Sequence, residues 1–187
     1  MPTPSRYGSW GSLSADTERA SRSTGDAEIW CLERGRAPNS LVWSRTHPEE
    51  VRVSVTQIKI RGYHEDRFGH VNNARYLELL EEARWADFEA RGVDAGFLKK
   101  HGVFPVVVRL TISYRRPASA GDTVNVSVDV VRAGRRKVVL GQEIRLDGSD
   151  TVCAEAELEV VFLDEKSGRP VALGEPFYAI WPELRPD

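Results

Sequence analysis

The chain has 187 residues, 41% hydrophobic and 29% charged, with a formal net charge of -2; that length and mixture suit one folded domain with its own core, and the balanced charge offers no field to recruit nucleic acid. Cys31 and Cys153 are its only cysteines, too few for a disulfide framework and without zinc-ligand spacing, so a reducing cytoplasmic setting is expected. No apolar run approaches the ~20 residues that span a bilayer, which argues against membrane insertion.

Residues 1–50 are rich in Ser, Gly, Pro and Arg, contain no lysine and hold no apolar period for more than a few residues. This composition predicts a disordered N-terminal tail. A folded domain is expected over 51–165 and a C-terminal extension over 166–187. From Val51 the alternation Val-Arg-Val-Ser-Val-Thr-Gln-Ile-Lys-Ile is that of a half-buried strand. It runs into Tyr63-His64-Glu65-Asp66-Arg67-Phe68-Gly69-His70-Val71-Asn72-Asn73, a stretch dense in polar groups between two apolar patterns.

A helix is predicted from about Asn73 to Arg91, capped by Asn72 or Asn73 and ended by Gly92. Tyr76, Leu77, Leu79, Leu80, Ala83, Ala86, Phe88 and Ala90 fall on one arc at 100° per residue. Arg84 and Asp87 lie inside that arc at i, i+3 spacing and are expected to neutralise each other.

Four strand patterns follow, at 104–114, 123–131, 137–146 and 151–162. In the first, Val106, Val108, Leu110, Ile112 and Tyr114 share a face; in the last, Cys153 falls among the polar residues. Turn chemistry at Ala133-Gly134-Arg135 and Asp147-Gly148-Ser149 makes the last three strands an antiparallel meander. One long helix against one antiparallel sheet is an α+β architecture, and its open sheet edges predict pairing with a second copy as a homodimer or homotetramer.

The loop before the helix holds the candidate chemistry. Asp66 can serve as general base or nucleophile, and the backbone N–H groups of Gly69, His70 and Val71 lie at the positive end of a helix dipole, where an oxyanion is stabilised. Those two parts suffice for thioester hydrolysis, since a thiolate leaves without a dedicated acid. His64, Asn72, Asn73 and Tyr76 are read as supporting the loop, with His70 holding it by hydrogen bonding. Cys153 is not read as a nucleophile. Arg135, Arg136 and Lys137 are solvated turn cations or, under the resemblance set out below, candidates for the phosphates of the coenzyme A substrate it implies, and Arg115 and Arg116 carry the same two readings. Phe68, Trp85, Phe104 and Val106 are candidate walls of an acyl channel, or plain core.

Arg61 to Asp66, Gly69-His70-Val71-Asn72-Asn73-Ala74-Arg75-Tyr76-Leu77-Glu78 and Glu81-Glu82-Ala83-Arg84-Trp85, with Tyr114-Arg115-Arg116-Pro117, Gly121-Asp122 and Val160-Val161-Phe162, resemble the hotdog-fold acyl-CoA thioesterases of the 4-hydroxybenzoyl-CoA thioesterase-like group. The bacterial long-chain acyl-CoA thioesterases are the nearest match. The resemblance covers about residues 52–165. It implies a long helix wrapped by a curved antiparallel sheet, an acyl-CoA substrate, no cofactor, and a site at a dimer interface with Asp66 as the catalytic aspartate. In a second branch of that fold the carboxylate sits on the helix, which would assign it to Glu78, Glu81 or Glu82. Two other readings stay open: a non-catalytic acyl-CoA-binding module, and a thioesterase acting on acyl-carrier-protein thioesters.

Overall fold

The computed structural model describes residues 54–186, so the expectations for the tail, for Val51 to Val53 and for Cys31 lie outside the described residues. Five strands, β1 (Ser54–Lys59), β2 (Val103–Tyr114), β3 (Thr123–Ala133), β4 (Lys137–Leu146) and β5 (Val152–Asp164), form one antiparallel sheet in the order β1-β3-β4-β5-β2. The meander β3-β4-β5 follows from the two tight turns, and β2 pairs with β5 to become one edge of the sheet. Helix α1 (Asn73–Ala90) packs on the face built by Val124, Val126 and Val128 of β3, Leu140 and Ile144 of β4, and Ala156, Leu158 and Val160 of β5.

Both ends of α1 are set by local chemistry. The Asn72 side chain accepts the Ala74 N–H, which relieves one of the free donors of the first turn. Gly92, at φ +86°, takes the left-handed conformation that stops the helix at low cost. The buried stripe is narrower than the predicted arc: Tyr76, Leu79, Leu80, Ala83, Asp87 and Phe88 are buried, whereas Leu77 and Ala90 are exposed. Leu80 is fully buried, and a side chain of that size contributes about 2 to 3 kcal/mol when removed from water.

The predicted Arg84–Asp87 pair does not form. The Asp87 carboxylate receives Arg91 Nε at 3.0 Å on both oxygens, one turn further on, while Arg84 Nη1 donates to Gln142 Oε1 on β4 at 2.8 Å. Each side chain turned to a partner that its burial made available.

Three one-residue irregularities re-aim the strands. Val108, Val131 and Cys153 are extra residues opposite a regular partner strand, and such a bulge reverses the facing of what lies beyond it. On β2 the residues opposite the inward Phe162, Val160, Leu158 and Ala156 are Pro105, Val107, Leu110 and Ile112, so Val106 and Val108 do not share the Leu110 face. Cys153 is likewise removed from the polar face and is buried. Burial pushes its thiol up to about 11, which makes it a poor nucleophile.

Two helices had no clear sequence signal: α2 (Ala95–Lys100) and α3 (Glu175–Tyr178). After β5 the C-terminal segment carries Phe177, Trp181 and Leu184 into the core. Trp181 meets Phe88 edge to face with ring centroids 5.0 Å apart, and the Arg91 guanidinium lies 4.5 Å from the Trp181 ring centroid.

Candidate active site

Asp66 occupies a tight loop between a 3-10 turn (Gly62–His64) and α1. Its N–H donates to the His70 carbonyl at 2.9 Å, and its carbonyl accepts from Gly69 at 3.2 Å. Its Oδ1 accepts the Phe68 N–H at 2.8 Å, an Asx turn that fixes the carboxylate. Oδ2 takes no donor among the described residues. Gly69, at φ +76°, closes the loop in a conformation that other residues adopt poorly.

The loop is pinned from outside by the segment between β2 and β3. Val71 N–H donates to the Ala118 carbonyl at 2.8 Å, Ser119 Oγ donates to the Gly69 carbonyl at 2.9 Å, and Glu65 Oε1 accepts the Ala120 N–H at 2.6 Å. The buried Tyr76 hydroxyl accepts the Ala118 N–H at 3.2 Å, and desolvation raises its pKa. Tyr114 Oη donates to the Asn73 carbonyl at 3.0 Å. The start of the helix and the loop are thereby held as one unit.

These bonds sort the three expected oxyanion donors. Gly69 and Val71 already have intramolecular acceptors, so of the three only His70 offers a backbone N–H with no acceptor among the described residues. Asn73, the first residue of α1, offers a second such N–H among the described residues. Both histidines hold the loop, by different groups. Buried His64 holds the loop, with Nδ1 accepting the Arg61 N–H at 3.0 Å and its carbonyl accepting from Asn72 at 2.8 Å. The exposed His70 ring has no such bond; its backbone does the holding.

An apolar groove of about 360 Å³ runs between α1 and the β2 edge, lined by Leu77, Trp85, Phe88, Val107, Leu110 and Val160, with Glu81 and Arg84 as its polar residues. Of the four expected channel walls, Trp85 lines it; Phe68, Phe104 and Val106 do not. Among the helix carboxylates, Glu78 is engaged by Arg75 at 2.7 Å, Glu82 is exposed, and Glu81 faces the groove.

Within one chain the structure does not bring the basic turn to Asp66. The loop segment packs at the Thr123 end of β3 through the Ile60 N–H to Asp122 bond, whereas Arg135 and Arg136 follow Ala133 at the other end. Eleven residues of strand separate them, about 30 Å along its length. Lys137 is paired with Glu159 at 3.1 Å and Arg115 with Glu155 at 2.7 Å; Arg135, Arg136 and Arg116 are exposed. Among the described residues no group of His, Cys, Asp and Glu could hold a metal, and no helix is long and apolar enough to cross a membrane.

A sequence model of the thioesterase-like superfamily matches residues 61–180. The chain is 41% identical over 118 residues to the long-chain acyl-CoA thioesterase FadM of Escherichia coli, covering 63% of this chain and 89% of that protein. It is 28% identical over 127 residues to the putative acyl-CoA thioesterase YneP of Bacillus subtilis, covering 68% and 91%. The crystal structure of YbaW, a probable thioesterase from Escherichia coli, superposes with a TM-score of 0.63 at 37% identity, covering 70% of this chain and 98% of that one. The sheet order and central helix described above are those of the hotdog architecture that the sequence resemblance implied.

Proposed function

The chain belongs to the thioesterase-like superfamily, and from that premise we propose that it is an acyl-CoA thioesterase in which Asp66 activates water and the His70 and Asn73 N–H groups receive the oxyanion. The observation that carries this reading is that Asp66 Oδ2 and the His70 and Asn73 N–H groups, all beside the start of an 18-residue helix, have no partner among the described residues. Oδ2 of Asp66 takes a proton from water as the water oxygen bonds the thioester carbonyl carbon. The carbonyl oxygen gains negative charge where the helix dipole and the two N–H groups stabilise it. The C–S bond then breaks, and the thiolate, whose conjugate acid has a pKa near ~8.5, leaves and recovers that proton. The products are a free acid and coenzyme A.

The acyl group lies in the groove between α1 and β2. The β2 edge, where Val107 and Val108 are both about half exposed, pairs with a second copy in a homodimer or a dimer of dimers. Because one chain separates Asp66 from Arg135 and Arg136 by the length of β3, the coenzyme A phosphates are met by the turn of a second copy. A cytoplasmic place of action is supported by the free thiol of Cys153. Thiol release from a panel of acyl-CoAs tests the reading: turnover that Asp66→Asn abolishes without unfolding is expected, and saturable binding of every acyl-CoA with no turnover would replace it with a binding module.

A further inference from the structure

We infer that Glu81 and Arg84 form a hydroxyl-recognition site inside the acyl groove, so that the enzyme prefers acyl chains carrying a hydroxyl well down the chain over plain alkyl chains. This rests on the reading of the groove as the acyl site and adds a substrate class to it.

The starting point is a cation where an alkyl chain offers nothing to it. Arg84 lines the groove between apolar Leu77 and Trp85 on the helix and Val107 and Leu110 on β2. It is half-buried, with one bond at Nη1 to Gln142 Oε1 and no carboxylate within ion-pair distance among the described residues. Gln142 is itself buried and fixed, because its Nε2 donates to the Leu80 carbonyl at 2.9 Å. The guanidinium is therefore held by a rigid amide on one side and has further N–H donors open to the groove. Desolvation pulls its pKa below the usual arginine range, opposed by the charge of Glu81.

Glu81 lies one turn earlier on the same helix face and also lines the groove. The two supply an acceptor and a donor side by side. A hydroxyl satisfies both at once, donating to the carboxylate and accepting from the guanidinium, and its neutrality matches the neutral sum of the pair. A terminal carboxylate would satisfy Arg84 but meet Glu81 as a like charge. A plain alkyl chain would strip water from the guanidinium and return no bond. Glu81 and Arg84 stand about 12 and 16 Å past Asn73 along the helix axis, so the hydroxyl belongs far from the thioester rather than beside it.

The test compares ω-hydroxydodecanoyl-CoA, dodecanoyl-CoA and the mono-CoA ester of dodecanedioic acid. For the wild type the hydroxyl-bearing substrate is expected to have the highest kcat/KM. Arg84→Met is expected to lower the hydroxyl-to-alkyl ratio about tenfold, as loss of a charge-assisted bond would, and Arg84→Lys to retain part of the preference. Taking the ratio within each variant cancels any general loss of activity. Glu81→Ala, at an exposed helix position that leaves Gln142 undisturbed, is expected to lower the same ratio and to improve the diacid. A wild type that favours the plain chain, or a ratio unmoved in both variants, overturns the proposal. Dissociation constants of the three thioesters from calorimetry give the same ratio without turnover, so an inactive wild type with intact hydroxyl preference would remove only the hydrolase reading.

Discussion

The two ends of α1 each carry an aspartate, and the two are treated in opposite ways. At the first end Asp66 is half-exposed, one carboxylate oxygen is held by its own loop, and the His70 and Asn73 N–H groups nearby have no acceptor among the described residues. At the far end Asp87 is 0% exposed and both of its oxygens are bonded to Arg91, which also stacks on Trp181 and reaches Glu183 at 3.6 Å. Polar capacity left open distinguishes the end proposed to be reactive, and polar capacity filled marks the structural end. A carboxylate's identity says little here; what its neighbours leave unused decides its role.

The contrast can be broken most forcefully at Asp66. Asp66→Asn is expected to lower kcat by about a thousandfold while the melting temperature stays near the wild-type value; turnover close to wild type in a thiol-release assay would place the base elsewhere, with Glu81 next in line. At the other end Asp87→Ala is expected to cost about 3 kcal/mol in urea unfolding, because it removes the buried carboxylate that holds the Arg91 guanidinium on two oxygens, yet to leave kcat per folded molecule unchanged. A mutant of Asp87 that loses catalysis without losing stability would erase the distinction between the two ends.

Smaller effects come from titration. Burial raises the Asp87 pKa above the ordinary carboxylate range, although Arg91 pulls the other way. The folded state therefore holds this proton more tightly than the unfolded chain. The associated stability is present below the unfolded carboxylate value and is lost as pH rises through the folded one. Wild type should accordingly lose stability relative to Asp87→Asn over that interval, measured by denaturant melts at successive pH values. Cys153 follows the same sign at alkaline pH: its contribution is full below 9.0 and declines as pH climbs through about 11, so Cys153→Ala should flatten the alkaline limb of the stability curve. The smallest change is expected at Arg136→Ala, a severalfold rise in KM for acyl-CoA with kcat unchanged, consistent with loss of one exposed phosphate contact.

Much of the site was legible in residues 61–85. The polar run before an apolar helical period, with Asn72 at the cap and Asp66 in the loop, needs only local chemistry to be read, and local chemistry forms it. Val71 was not separable from His70 as a donor by sequence, because the acceptor that claims Val71 is the carbonyl of Ala118, 47 residues away in the chain. That His70 holds the loop by its carbonyl and not by its ring was not legible for a similar reason: exposure is a property of the packed loop, not of the residues flanking an imidazole. Phe177, Trp181 and Leu184 had no period to announce them, since each reaches the core from a short turn or loop.

The sequence by itself determined the helix, its caps, the meander and the loop that carries Asp66, because each depends on periodicity and on side chains within one or two turns of each other. Tertiary structure decided which face each strand presents, because one extra residue at Val108, Val131 or Cys153 reverses everything beyond it, and an insertion is visible only against the partner strand. It also decided which polar groups remain open. Hydrogen-bond partners come from wherever the chain folds back, and the groups at the Asp66 end of α1 left without one among the described residues are those proposed to meet a substrate.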